Sequence, residues 1–134
     1  MSTRGIEDVY LTESGVNGDT FCDFVVKCIL PILQPFNGSN SRSIVVMDNA
    51  SIHHVNQVMH LINGAGALLW FLPPYSPELN PIEEVFSEVK SYLQNNSIVY
   101  RLTDNPQLIL HAAFASVTQA HCLKYIEHAG YRIA

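Results

Sequence analysis

Charge is scarce in this chain. Asp, Glu, Lys and Arg make up only 14% of it, and the basic residues number 7 against 12 acidic ones, a net charge of −5. So few cations exclude a basic clamp that grips a nucleic-acid backbone unaided. An acidic domain acts on nucleic acid when metal ions or another domain supply the positive charge. Cysteine is also scarce. Cys22, Cys28 and Cys122 are odd in number and without paired spacing, which argues against a disulfide framework. They read as small core residues of a protein in a reducing compartment. No apolar run reaches the roughly 18 residues of a membrane span. Residues 1–8 hold no apolar stretch of signal-peptide length. The expectation is an intracellular protein that does not touch the membrane, nuclear if the host is a eukaryote, and not secreted. No internal repeat is visible. What remains is 134 residues, 48% of them apolar, enough for one globular domain with a real core.

The apolar pattern alternates between strand and helix. Ile6 to Thr12 reads as a strand ending before Ser14-Gly15. From Gly18 to about Leu33, Phe21, Phe24, Val25, Cys28, Ile29 and Ile32 recur at helical steps, with Asn17 or Asp19 as cap. Ser43 to Met47 and Ala67 to Leu72 are short, continuously apolar strands, a pattern that predicts a parallel sheet covered on both faces. Trp70 and Phe71 are expected in the core. Val55 to Asn63 lies between the strands as a helix stopped by Gly64 and Gly66. Pro73-Pro74-Tyr75-Ser76-Pro77 forbids regular structure. A helix then starts at Pro81 with the stripe Ile82, Val85, Phe86, Val89 and Leu93. Two further helices follow, from Pro106 to about Val117 and from Gln119 to about Ala129. Alternating strands and helices predict an α/β layer fold, and no linker divides the chain.

Two carboxylates stand out. Asp48 follows a buried strand, and ligands of open α/β sheets bind outside the carboxyl ends of strands. A loop Asp is also an ordinary turn cap, so position alone does not decide its role. Glu83 has its own structural explanation, because Asn80-Pro81-Ile82-Glu83 has the spacing of a capping box with Asn80 as the helix cap. Glu84 and Glu88 read as a solvated face. The pair is more informative than either member. Two carboxylates about 4 Å apart repel by roughly 4 kcal/mol at an effective dielectric near 20. A hard divalent cation relieves that repulsion, and Mg²⁺ favours carboxylate oxygen together with water. Two such ions clamp the attacking and leaving oxygens of a phosphodiester.

Val45-Val46-Met47-Asp48-Asn49-Ala50 and Leu72-Pro73-Pro74-Tyr75-Ser76-Pro77-Glu78-Leu79-Asn80-Pro81-Ile82-Glu83 resemble the mariner-type transposases of the DDE superfamily. The resemblance covers about residues 5–95 and leaves the helices at about 105–130 outside it. It implies a ribonuclease-H-like fold. It also implies that Asp48 and Glu83, with 34 residues between them, are two of three metal-binding catalytic carboxylates. The cofactor implied is Mg²⁺ or Mn²⁺. The partner implied is DNA, as transposon ends and target, and the reaction is strand cleavage followed by strand transfer. The first carboxylate of the family belongs on an earlier strand, and only 14 residues precede Gly15 here. The basic helix-turn-helix region that holds transposon ends has no counterpart in these residues. The expectation is thus a partial catalytic domain, lacking the first strands and inactive alone. The alternative is a non-enzymatic relic or adopted fragment that acts as a binding module or homodimer.

Other residues invite roles around that site. Asn49 and His53 lie near Asp48 in sequence and are candidates for the rim. Tyr75, in a proline-rich loop, either touches DNA or packs on the helix that follows. Lys90 can meet a phosphate. His53, His54 and His60 suggest zinc, but no third ligand lies at a helical step from two of them, so no zinc site is expected. His111, His121 and His128 read as surface or satisfied core residues.

Overall fold

The computed structural model describes residues 1–49 and 55–133. They form two compact units: Tyr10–Ser76, and Met1–Val9 together with Pro77–Ala134. Each is described by itself.

In the Tyr10–Ser76 unit, helix α1 spans Gly18–Phe24. Asn17 caps it through a capping box: its side chain accepts the Thr20 N–H, and Thr20 Oγ1 accepts the Asn17 N–H. The helical path continues as a π turn at Val25–Ile29 and a tight 3-10 turn at Leu30–Ile32. Pro31 explains the change of pitch. It has no N–H to give, and its ring collides with the carbonyl four residues back. Strands β1 (Ile44–Met47) and β2 (Leu68–Phe71) pair in parallel, Ile44 opposite Leu68 and Met47 opposite Phe71. Helix α2 (Val55–Gly64) is the crossover between them. Gly66 turns the chain out of α2 at φ +79°, where a Cβ would lie 3.1 Å from the Pro35 ring, so neither the backbone nor the space suits another residue.

The sheet is one-sided. Val45, Met47, Leu69 and Phe71 join Cys22, Val25, Val58 and Ile62 in an apolar core. On the opposite face Ile44, Val46 and Trp70 are 42%, 38% and 61% exposed. The expectation of two covered faces and a core Trp70 is therefore corrected. Continuous apolar sequence does not count layers, and among the described residues of this unit the helices pack on the Val45 and Met47 face.

Ile6 to Thr12 is not a strand either. Among the described residues the sheet has only β1 and β2. The N-terminal segment makes an isolated bridge between Ser2 and Gly5. Beyond it, Ile6 packs into the core of its own unit, while the Tyr10 ring lies 6.3 Å from that of Phe24 in the other. Ile6 and Tyr10 thus have their apolar neighbours in different units, which does not suit one pleated face.

The second unit is helical: α3 (Ile82–Asn95), α4 (Ser97–Leu102), α5 (Pro106–Ala115) and α6 (Gln119–His128). Val85 and Val89 of α3 pack with Ala113, Val117 and Cys122. Phe86, assigned to the buried stripe from sequence, is 48% exposed. Helix α4 is unanticipated, since its Ile98 and Leu102 are 72% and 78% exposed and leave no apolar stripe aimed at a core. Thr118 caps α6 by accepting the His121 N–H. All three cysteines are buried, as the sequence suggests.

Asn80 is not the cap expected of it. Pro81 holds the cap position of α3 in helical backbone, with no side-chain capping bond. A 3-10 turn at Pro77–Leu79 leads straight into the helix. The Asn80 N–H donates to Pro77 O, and the Asn80 carbonyl accepts the Glu83 N–H. The backbone of Asn80 joins turn to helix, and the Glu83 carboxylate has no capping duty. Among the described residues no helix is long and apolar enough to cross a membrane.

Candidate functional site

The first group of candidates gathers at the carboxyl end of the sheet. The Leu72 N–H donates to Met47 O at 2.8 Å, so the ends of the two strands are tied together. Asp48 and Asn49 follow Met47 and are exposed. The proline-rich loop follows Leu72 at that same end. Within it Tyr75 takes φ +55° and is 101% exposed. His53 and His54 lie outside the described residues.

The second group lies on α3. Val85 and Val89 face the core, while Glu83 and Lys90 are exposed. Seven residues are almost two full turns, so Glu83 and Lys90 share one side of the helix, roughly 10 Å apart along its axis. Glu83 also lines a shallow cleft with Pro77, Glu78, Pro81 and His128.

The three glutamates of this helix have different fates. Glu88 Oε1 lies 2.8 Å from His121 Nδ1, and its Oε2 accepts the Tyr125 hydroxyl at 2.7 Å. Glu84 meets His128 Nδ1 at 3.1 Å. The Glu88 bond, aided by burial, pushes the Tyr125 phenol up to about 12. Among the described residues the Glu83 side chain takes no hydrogen bond or ion pair. Glu88 is thus a partly buried brace between α3 and α6 rather than part of a solvated face, while Glu84 meets His128 in the solvent. His121 and His128 are their partners. The sequence holds the signal, Glu at a four-residue step and His, Tyr and His at steps of four and three, but nothing in it says that the two faces meet.

Among the described residues no three His, Cys, Asp or Glu side chains form a group that could hold an ion. Asp48 and Glu83 nevertheless have suitable chemistry. Both are exposed, hard oxygen donors at the ends of rigid elements, and Mg²⁺ is commonly bound by one or two carboxylates with water and substrate phosphates.

Residues 1–104 match the DDE superfamily endonucleases, and the chain belongs to that family. The match takes in Asp48, Tyr75, Glu83 and Lys90 and stops before α5. No curated protein and no solved structure matches the chain.

Proposed function

We propose that this chain is the part of a mariner-type transposase catalytic domain that supplies two of its three metal-binding carboxylates, Asp48 and Glu83. The observation that carries this reading is the family match together with the exposed Asp48 at the carboxyl end of β1. The parallel β1–α2–β2 unit suits a ribonuclease-H-like sheet, and the open face bearing Trp70 suits further packing in such a fold.

In this reading Asp48 and Glu83 hold Mg²⁺ or Mn²⁺, which supplies Lewis-acid polarisation of the phosphodiester and a lowered pKa for an attacking water or hydroxyl. Asp48 is aimed by the strand before it. Glu83 is kept available because Glu84 and Glu88 take the α6 partners. Lys90 neutralises a backbone phosphate on the Glu83 side of α3, and Asn49 offers an amide at the rim. DNA is the substrate, and strand cleavage followed by strand transfer is the reaction class.

In this reading any Mn²⁺ uptake by the 134-residue chain rests on Asp48 and Glu83, and the chain by itself does not cut DNA. Calorimetry with Mn²⁺ tests this: Asp48→Ala and Glu83→Gln each weaken binding, and unchanged binding removes that residue from the site. A monomeric chain that nicks DNA in Mg²⁺, and loses this in Glu83→Gln, overturns the claim of inactivity and directs attention to Asp8 as the nearest further carboxylate.

One observation favours a second reading. The exposed Ile44, Val46 and Trp70 form an apolar face of the kind that binds another protein surface. A non-enzymatic fragment would work through that face, as a binding module or homodimer. Sedimentation tests its homodimer form, which requires self-association that Trp70→Asp abolishes.

A further inference from the structure

Tyr75 is the most exposed large hydrophobic side chain among the described residues, at 101%. A surface tyrosine ordinarily leans its ring on neighbouring apolar atoms and keeps only the hydroxyl wet. Among the described residues this one makes no hydrogen bond or ring contact, and its ring stands out from the surface. Its backbone, at φ +55°, is in the left-handed region that bulky residues rarely adopt. Such conformations persist where the surroundings over-determine them, and they cluster at ligand-binding segments. The surroundings here are Pro73, Pro74 and Pro77, each with φ fixed by its ring, and the Ser76 hydroxyl, which donates to Pro74 O at 3.2 Å. The aromatic ring is therefore presented on a stiff loop, and little backbone entropy is lost when something settles on it.

Its location says what that is. Tyr75 is three residues from Leu72, a reach of at most roughly 10 Å. Leu72 is hydrogen-bonded to Met47, the residue before Asp48. Ring and carboxylate thus lie at one end of the same sheet. A chain of net charge −5 gains little from long-range attraction to phosphates, so its hold on DNA at this end needs a contact that charge does not govern. Base stacking on an aromatic ring is such a contact, and it requires a base that is not already stacked in a duplex.

We propose that Tyr75 stacks on an unpaired DNA base beside the Asp48 carboxylate and so holds frayed or single-stranded DNA at the proposed site. The inference deepens the endonuclease reading and rests on it. The test uses the full chain and two oligonucleotides carrying 2-aminopurine, one a blunt duplex and one with the probe in a single-stranded overhang. Wild type binds the overhang more tightly and quenches the probe. Tyr75→Phe keeps both effects. Tyr75→Ala loses the quenching and binds the overhang roughly ten-fold more weakly, within the range of one stacked base, with duplex binding unchanged. Tyr75→Gly gives the same loss while raising the denaturation midpoint, because glycine is at ease at this φ; this separates a lost contact from a damaged fold. Overhang binding and quenching that survive in Tyr75→Ala, or an equal loss for both oligonucleotides, overturn the assignment of Tyr75 alone. A wild-type chain that binds neither oligonucleotide overturns the DNA-directed reading beneath it.

Discussion

The two compact units solve the same problem with different materials. The Tyr10–Ser76 unit is held by apolar contacts on one side of a small sheet, and its candidate polar groups, Asp48, Asn49 and Tyr75, all lie at the end of that sheet. The unit built from Met1–Val9 and Pro77–Ala134 adds polar contacts to its core: a partly buried brace of Glu88 with His121 and Tyr125, and a solvent-exposed pair of Glu84 with His128. In the first, structure and candidate chemistry are carried by different residues in different places. In the second they share a helix turn, and Glu83 is distinguished from Glu84 by which of them α6 engages. Neighbouring residues of one type can thus have opposite duties, and the partner across the helix interface assigns them.

The largest expected effect tests the apolar unit. Ile62 is fully buried among Val25, Met47 and Val58. Ile62→Ala should cost about 2–5 kcal/mol by chemical denaturation, because the cavity cannot fill from a one-sided sheet. A cost below about 1 kcal/mol would mean that this core is loosely packed.

A smaller loss is expected from the brace. Glu88→Ala strands both His121 and Tyr125, and since the site is only partly buried the cost is about 1–2 kcal/mol. The comparison sharpens if hydrogen exchange quickens in α3 and α6 and stays unchanged in β1 and β2. Equal acceleration in both units would erase the distinction drawn here.

The third expectation concerns pH. Tyr125 has its folded pKa raised to about 12 from an ordinary value of 10.0, chiefly by the bond to Glu88. A raised pKa means that the folded state holds this proton more tightly than the unfolded state. The associated stability is complete below pH 10 and is lost as pH rises toward about 12. Ultraviolet titration of tyrosinate should show a late-ionising group that moves toward 10 in Glu88→Gln. No movement would remove Glu88 as the cause.

Trp70→Ser marks the small end of the scale. A side chain 61% exposed on the open face should change monomer stability by less than about 0.5 kcal/mol. A loss of several times that would show the face to be covered in solution.

Much of this was legible in the sequence because it is local. The helix starting beside Pro81, the strand ending at Asp48, the cap at Asn17 and the irregular proline-rich loop follow from dihedral preference, apolar period and short-range hydrogen bonds. These act over a few residues and need no knowledge of what lies opposite. Asp48 and Glu83 were legible for another reason, as the carboxylates of a motif resembling one family. The tertiary structure alone decided the rest. Whether Val46 and Trp70 are covered depends on how many layers pack on the sheet. Whether Ile6 to Thr12 pairs depends on where Ile6 and Tyr10 find their apolar neighbours. Whether Glu84 or Glu83 is left available depends on where His128 falls, more than forty residues along the chain. Apolar burial and charge pairing are set by neighbours in space, and a sequence orders neighbours only along the chain.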